Sequence, residues 1–258
     1  MPAQMIVTDL DRTLLRPDRS VSEFTMNILR SCQQRGIVIV FATARSENSC
    51  KQFADMLNPD AIISNGGALA RFGEKIVHRA TLSVEITNKL LLSFLKTSNI
   101  GYITVDTDHG QFVNQPVDEN DPGWIEYLPA YPMDFARGLH CDAYKICAEI
   151  TDDATAYRLV ARFPSVDIVP FSGDSWFCFT DKSANKWNGV QKLAAYTGTD
   201  IGNIVSFGDD YHDVEMLRGC GIGIAVANAI DACKTAADRI CGANDSDGVA
   251  KWLEENML

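Results

Sequence analysis

The chain has 258 residues, 46% of them hydrophobic, and a formal net charge of -11 at pH 7. This length can form one large α/β domain or a core domain with a smaller partner. The negative charge, with no cluster of lysines and arginines, argues against nucleic acid and anionic membranes as partners. No apolar run approaches the roughly 20 residues that span a bilayer, and the first candidate strand begins too early for a signal peptide, so we expect a soluble cytoplasmic protein.

Short apolar runs alternate with amphipathic stretches from the start of the chain. Met5 to Val7, a helical pattern over residues 24–32, and Ile37 to Ala42 predict strand, helix and strand. A helix over 46–57 and a strand at Ala61 to Ser64 follow. Because such strand-helix-strand units are right-handed parallel crossovers, the carboxyl ends of these strands are expected at one edge of a sheet, where ligands bind.

The pattern of predicted strands and helices changes after residue 81 and again after residue 181. After a predicted hairpin, with arms at Leu69 to Phe72 and Lys75 to His78, residues 82–181 contain a leucine-rich helix, a second helix and several short strands. The alternation of strands and helices seen at the start of the chain then resumes, with helices near 185–196, 214–217 and 248–255 and strands near 203–207, 221–226 and 240. The prediction is an α/β core from residues 1–81 and 182–258, with residues 82–181 inserted as a second α/β domain.

Two carboxylates follow the first predicted strand directly, in the run Asp9-Leu10-Asp11-Arg12-Thr13. Two carboxylates about 4 Å apart repel by roughly 4 kcal/mol at an effective dielectric of 20, so they need solvent, a shared proton or a cation. A solvated acidic turn is the plain alternative. A calcium loop is excluded by spacing, because Leu14 stands where that loop needs glycine and Ser20 where it needs glutamate.

Three further groups occupy similar positions along the predicted core. Gly208-Asp209-Asp210-Tyr211-His212-Asp213 follows a short apolar strand, Thr43-Ala44-Arg45 follows the strand at Ile37 to Ala42, and Lys186 begins the helix that resumes the core. Two acidic loops at the carboxyl ends of parallel strands favour a hard cation held by oxygen ligands. The threonine and lysine are weak evidence separately.

These motifs, taken in order, resemble those of the haloacid dehalogenase (HAD) superfamily, and specifically its Cof-type phosphatases of class IIB. Four further segments resemble secondary motifs of that class: Ser64-Asn65-Gly66-Gly67-Ala68, Glu215-Met216-Leu217, Ala225-Val226-Ala227-Asn228-Ala229 and Asp247-Gly248-Val249-Ala250. The resemblance implies a Rossmann-like, doubly wound parallel-sheet core with an inserted α/β cap domain that selects the substrate.

The resemblance also implies roles for individual residues. Asp9 would be the nucleophile that forms an aspartyl phosphate, and Asp11 the general acid and base. Mg²⁺ would be held by Asp9, the Asp11 carbonyl and Asp209, while Lys186 and Asp213 complete the catalytic set, with Asp213 either behind the metal or paired with Lys186. Four residues are expected near the substrate: Thr43, Ala44, Arg45 and His212.

Two residues depart from the family pattern. Ala44 stands where glycine is usual, and His212 stands where asparagine is usual. The expected reaction is hydrolysis of a small phosphate monoester, such as a sugar phosphate, a nucleotide or a phosphorylated cofactor. A phosphosugar mutase of the same class and a non-catalytic sensor of phosphorylated metabolites are the alternatives. Motifs of this kind determine the reaction and not the leaving group, so the sequence does not identify the substrate. It does not determine the oligomeric state either.

Overall fold

The computed structural model describes residues 3–121, 124 and 127–258. The chain divides into two compact units. The first comprises the residues up to Arg45, together with Cys50–Arg79 and Asn185–Leu258; the second comprises Ser46–Ser49 and Ala80–Ala184. No described helix is both long enough and apolar enough to cross a membrane.

An eight-stranded sheet forms the centre of the first unit, in the order β14-β13-β12-β1-β2-β3-β4-β5. Its strands are β1 (Met5–Thr8), β2 (Val38–Ala42), β3 (Ala61–Ser64), β4 (Leu69–Phe72), β5 (Lys75–Arg79), β12 (Ile204–Gly208), β13 (Ile222–Val226) and β14 (Arg239–Cys241). The pairs from β14 through β3 are parallel, and the β4–β5 hairpin adds two antiparallel strands.

Apolar side chains on both faces of this sheet explain why helices cover each side. Along β1, Ile6 belongs to one core cluster, while Met5 and Val7 belong to another. The helices of this unit are α1 (Glu23–Gln34), α2 (Glu47–Leu57, which belongs to this unit from Cys50 onward), α5 (Lys186–Thr197), α6 (Val214–Gly219), α7 (Asp231–Ala236) and α8 (Gly248–Met257). Strands buried on both faces are typical of doubly wound α/β folds, and the predicted α/β class is confirmed.

The second unit contains a six-stranded sheet in the order β10-β11-β9-β6-β7-β8. The strands are β6 (Ile100–Thr107), β7 (Gly110–Val113), β8 (Ala130–Pro132), β9 (Lys145–Ile150), β10 (Val166–Pro170) and β11 (Trp176–Asp181). Two helices, α3 (Val84–Leu95) and α4 (Asp153–Val160), share an apolar core with alternate residues of the central strands. The cap role expected for residues 82–181 stays a prediction.

Candidate active site

Asp9 is the first residue beyond β1, the strand that pairs with both β2 and β12. Its backbone amide donates to the carbonyl of Phe207 at 3.0 Å, which continues the β1–β12 pairing by one residue. The side chain is only 6% exposed. A carboxylate at this depth needs charged or hydrogen-bonding partners, because burial alone would favour its neutral form.

The loop after β12 brings Asp209 and Asp213 to the same edge. Asp213 Oδ2 accepts hydrogen bonds from the backbone amides of Asp209 at 3.0 Å and Asp210 at 3.1 Å, so the carboxylate braces its own loop. Glycine is required at position 208, because a Cβ there would lie 2.4 Å from the Cβ of Asp213. Both aspartates are almost fully buried.

Lys186 joins the two acidic segments. Its Nζ donates to Asp9 Oδ1 and to Asp213 Oδ1, each at 2.6 Å, and the side chain is buried. Burial works against its charge, but Asp213 and Asp9 outweigh that effect and raise the pKa of Lys186. The lysine is the first residue of α5, whose start is fixed by the Asn185 side chain accepting from the Asn188 amide.

Three carboxylates converge around this lysine. Asp9, Asp209 and Asp213 each place an oxygen within 4.8 Å of the others. Burial raises the pKa of Asp9 well above its usual value, although Lys186 opposes the shift. Burial, assisted by Asp213, raises the pKa of Asp209 to about 7. The protein alone therefore compensates this concentration of negative charge poorly.

The cluster fits a divalent cation by charge and by chemistry. Three carboxylates facing one ammonium leave two negative charges. Carboxylate oxygens are the ligands that hard cations prefer. Both oxygens of Asp213 are committed to Lys186 and to the loop amides, and Lys186 takes only Oδ1 of Asp9. Asp9 and Asp209 are therefore better suited to metal binding than Asp213.

Asp209 is itself held by the segment that follows Asp9. Thr13 Oγ1 donates to Asp209 Oδ1 at 2.7 Å, and the half-exposed Arg12 places Nε 3.7 Å from Oδ2. Thr13 belongs to the Asp-x-Asp-x-Thr motif, but it was not among the predicted site residues. In the structure its hydroxyl group links the acidic segment after β1 to the acidic segment after β12.

Asp11 does not join the carboxylate cluster. It lies in a wide turn, Leu10–Leu14, where Asp11 is extended and Arg12 is left-handed at φ 60°. Its carboxylate accepts two hydrogen bonds from Arg45, from Nε to Oδ2 and from Nη2 to Oδ1, both at 2.6 Å. Arg45 is buried against the Phe53 ring, whereas the Asp11 side chain is 42% exposed.

Two neighbouring loops support the remaining predicted residues. Thr43 follows β2, and its hydroxyl accepts from the Arg45 amide at 3.1 Å, while its carbonyl accepts from the Gly66 amide. His212 lies beside Gly66, since a Cβ on that glycine would be 3.6 Å from the histidine Cδ2. Ala44 is half-buried between Thr43 and Arg45. The structure therefore gathers Thr43, Arg45 and His212 around the Asn65–Gly67 turn.

Gly67 explains why its motif matters to the site. It has φ +112°, and a Cβ there would come within 2.1 Å of the Asn185 backbone. The turn can approach the start of α5 this closely only if residue 67 is glycine. Because Lys186 is the next residue along, Gly67 helps to set where the lysine enters the carboxylate cluster. Sequence reasoning identified the motif but not this contact.

Two other secondary motifs hold the turn after Asp9 in place. Asn228 Nδ2 donates to the Arg12 carbonyl at 2.8 Å. Asp247 forms an ion pair with Arg16, with Nη2 2.8 Å from Oδ2, and accepts a further bond from the Arg16 Nε. These contacts hold the segment at Arg12, between Asp11 and Thr13, and at Arg16, just beyond them.

Comparison with known proteins identifies the family. The family model for haloacid dehalogenase-like hydrolases matches residues 6–253. The 5-amino-6-(5-phospho-D-ribitylamino)uracil phosphatase YitU of Bacillus subtilis is 24% identical over 262 residues, which is 97% of this chain and 96% of the relative. Another B. subtilis phosphatase of the same description, YcsE, is 23% identical over 99% of this chain and 96% of its own.

Solved structures show the same fold. The HAD subclass IIB sugar phosphatase BT4131 superposes with a TM-score of 0.87 at 22% identity, covering 98% of each chain. A haloacid dehalogenase-like hydrolase from B. subtilis gives a TM-score of 0.87 at 23% identity, covering 98% of this chain and 99% of its own. Members of this family generally use a divalent metal ion. The chain therefore belongs to the haloacid dehalogenase-like hydrolases, as a phosphatase of the Cof type.

Proposed function

We propose that this protein is a Mg²⁺-dependent phosphatase that hydrolyses small phosphate monoesters through an aspartyl phosphate on Asp9. The observation that carries the proposal is the contact of Lys186 with both Asp9 and Asp213 inside a buried cluster of three carboxylates. Such a concentration of charge is unfavourable for folding alone, and it suits a site that binds a metal and a phosphoryl group.

The nucleophile is oriented by its lysine partner. Lys186 donates to Oδ1 of Asp9, which orients the carboxylate, and the charge of the lysine opposes the rise in the pKa of Asp9 that burial causes. Attack by an oxygen of the Asp9 carboxylate on phosphorus, in line with the leaving oxygen, forms the aspartyl phosphate and splits a slow hydrolysis into two faster steps. Asp213 shares the lysine and keeps it in place.

Asp11 supplies and removes the protons. It protonates the leaving oxygen in the first step, and the resulting carboxylate takes a proton from water in the second, when that water attacks the aspartyl phosphate. Its greater exposure, at 42% of the side chain, allows contact with both a leaving group and water. The Thr43 hydroxyl is assigned to the phosphoryl oxygens, with His212 and Ala44 at the edge of the substrate site.

The metal is assigned to Asp9 and Asp209, with the Asp11 carbonyl as a third ligand. When bound, Mg²⁺ would offset negative charge on the carboxylates and on the phosphoryl oxygens. With a phosphate dianion present, Asp9, Asp209, Asp213 and substrate carry about five negative charges against three positive from Mg²⁺ and Lys186. Without the cation, Lys186 is left as the buried positive charge among them, with the half-exposed Arg12 beside Asp209.

The test is phosphate release from a panel of phosphorylated compounds, with Mg²⁺ and with EDTA. The panel includes sugar phosphates and 5-amino-6-(5-phospho-D-ribitylamino)uracil, since similar proteins carry those descriptions, and nucleotides as a further class of small phosphate ester. Metal-dependent release is expected from the wild-type protein and from Asp210→Asn, a change in the same loop at a side chain outside the cluster. Asp9→Asn should release nothing while keeping the native circular dichroism spectrum.

The covalent intermediate has its own readout. Borohydride reduces an acyl phosphate, so acid-quenched enzyme taken during turnover should contain homoserine at position 9. Release of phosphate by Asp9→Asn, or labelling at a different carboxylate, would contradict the mechanism. Conversion of one phosphosugar isomer to another without phosphate release would instead identify a mutase.

A further inference from the structure

Two cysteines face each other directly across the central strands of the second unit. Cys147 on β9 and Cys178 on β11 are partners in the antiparallel register. Three residues along, the Ile150 amide donates to the Ser175 carbonyl at 2.8 Å, which makes that pair hydrogen-bonded. Because the two kinds of pair alternate, Cys147 and Cys178 form a non-hydrogen-bonded pair, the kind whose side chains approach more closely.

This geometry matches a disulfide. Non-hydrogen-bonded partners hold their Cα atoms about 4.5 Å apart, inside the range of about 4.4–6.8 Å found for disulfides. The strands therefore need little movement to join the two sulfurs. The two thiols are also close enough that each changes the pKa of the other.

The surroundings of Cys147 are polar although they are buried. Ile146 and Ala148, its neighbours on β9, point into the apolar core, so Cys147 lies on the opposite face of the sheet with Lys145. Lys145 Nζ lies 3.5 Å from Asp106 Oδ2, and both side chains are almost fully buried. The Lys145 ammonium on this face favours a thiolate at Cys147, and the Asp106 carboxylate beside it opposes that effect.

The two sulfurs differ in acidity. The hydrogen bond from Cys178 lowers the pKa of Cys147, burial opposes this effect, and Lys145 lowers the pKa further. The pKa of Cys178 is raised by its hydrogen bond to Cys147 and by burial. An ionisable thiol beside a protonated one is the arrangement of an attacking and a resolving cysteine.

We propose that Cys147 and Cys178 are a redox modification site, at which a hydroperoxide converts the dithiol to a cross-strand disulfide. The Cys147 thiolate attacks a peroxide oxygen and breaks the O–O bond, which gives a sulfenic acid at Cys147 and, with hydrogen peroxide, hydroxide that takes up a proton to become water. The Cys178 sulfur then attacks the sulfenic sulfur and releases a second water. Two thiols lose two electrons and two protons, and one peroxide is reduced to two waters.

The remaining cysteines offer no equivalent. Among the registers of the described strands, no other cysteine faces a cysteine. Burial raises the pKa of Cys220 and of Cys241 to about 12. Cys141 lies in the same unit as the pair and is the more exposed, which makes it a useful internal comparison.

The experiment uses the full-length protein treated with increasing hydrogen peroxide, then denatured and alkylated for peptide mapping without reductant. We expect a linked peptide pair containing Cys147 and Cys178, formed before Cys141 is oxidised, with two of the eight thiols lost and recovered with dithiothreitol. Oxidation of Cys141 while both Cys147 and Cys178 stay alkylatable would overturn the proposal, and so would a link between any other two cysteines.

Variants test the order of attack. In Cys178→Ser, quenching into denaturant with dimedone should label a sulfenic acid at Cys147, whereas Cys147→Ser should give no label at Cys178. The reverse labelling would overturn the assignment of Cys147 as the attacking thiol. Cys141→Ser is the matched control and should form the Cys147–Cys178 link like the wild type. If a serine variant does not fold, the wild-type map still decides the proposal.

Discussion

Arg45 and Asp11 form a two-point ion pair, with both hydrogen bonds at 2.6 Å. The arginine is buried and its amide is tied to Thr43, so it is the fixed member of the pair. A planar guanidinium that binds both carboxylate oxygens sets the orientation of that carboxylate as well as its position. We therefore expect Arg45 to act as a positioning residue for the proposed general acid.

Arg45→Lys should reduce kcat by about 10- to 100-fold, because a lysine cannot hold the Asp11 carboxylate at two points and small displacements of a catalytic group lower the reaction rate strongly. Asp11→Asn should reduce it further, by about 10²- to 10⁴-fold. If Arg45 works only through Asp11, then adding Arg45→Lys to Asp11→Asn should change kcat little. A rise in kcat for Arg45→Lys would mean that the pair restrains Asp11.

Asp213→Asn should destabilise the protein by about 2–4 kcal/mol, because its carboxylate accepts from Lys186 and from two backbone amides, and an amide group cannot satisfy all three donors. Urea unfolding in EDTA gives the measurement without a contribution from metal. Asp210→Asn is the control in the same loop, and asparagine caps as well as aspartate does. Equal losses for the two variants would show that Asp213 has no special structural role.

Metal binding should depend on pH through Asp209. Burial raises the pKa of Asp209 to about 7 in the metal-free protein, so below that pH a proton competes with the cation. The apparent affinity for Mg²⁺ should weaken as the pH falls from about 8 to about 6, by up to about tenfold per unit for a single proton. Calorimetry in buffers with different protonation enthalpies should show proton release that is larger near the lower pH.

The same shift has a consequence for stability without metal. The folded protein keeps this proton to a higher pH than the unfolded chain, in which the pKa of an aspartate is near 3.8. This group therefore stabilises the metal-free protein less as the pH rises from about 4 to about 7. Proton release that is flat with pH, together with a pH-independent affinity, would contradict the role of Asp209.

Gly67→Ala should damage both stability and activity. Any Cβ at this position meets the Asn185 backbone, which cannot yield without moving Lys186. Gly36→Ala is the matched control, since Gly36 also has positive φ, at +78°, but nothing lies within 4 Å of its Cβ position. Both variants carry the backbone strain of about 1–2 kcal/mol, so the excess loss in Gly67→Ala measures the collision. Equal melting temperatures and equal kcat values would disprove this contact's importance.

The elements that were predicted well are those with a strong local pattern. The predicted strand at Ala61 to Ser64 and the hairpin arm at Leu69 to Phe72 have the observed bounds, since apolar runs there end at turn residues. Strand β8 was missed because three residues ending in proline show no alternation, and the six-residue helix α7 is too short for a helical period to be visible.

Some features of the candidate site could likewise be predicted from the sequence, and others could not. Asp9, Asp209 and Lys186 could be found because each directly follows a strand or begins a helix at the ligand-binding edge of a parallel sheet. The pairing of Asp11 with Arg45 could not be found, because it depends on the direction of two side chains that are 34 positions apart. The approach of Gly67 to Asn185 likewise depends on how two distant backbones meet.

The order of the sheet also determines when the site can exist. Strand β1 lies between β2 and β12, and its partners in β12 come about 200 residues later in the chain. During synthesis, the whole second unit therefore emerges from the ribosome after Asp9 and before Lys186, Asp209 and Asp213. Pairings of such long range form late in folding. A nascent or truncated chain that lacks the last third has Asp9 but no lysine beside it, so the candidate site is complete only when the last parallel strands pair with the first.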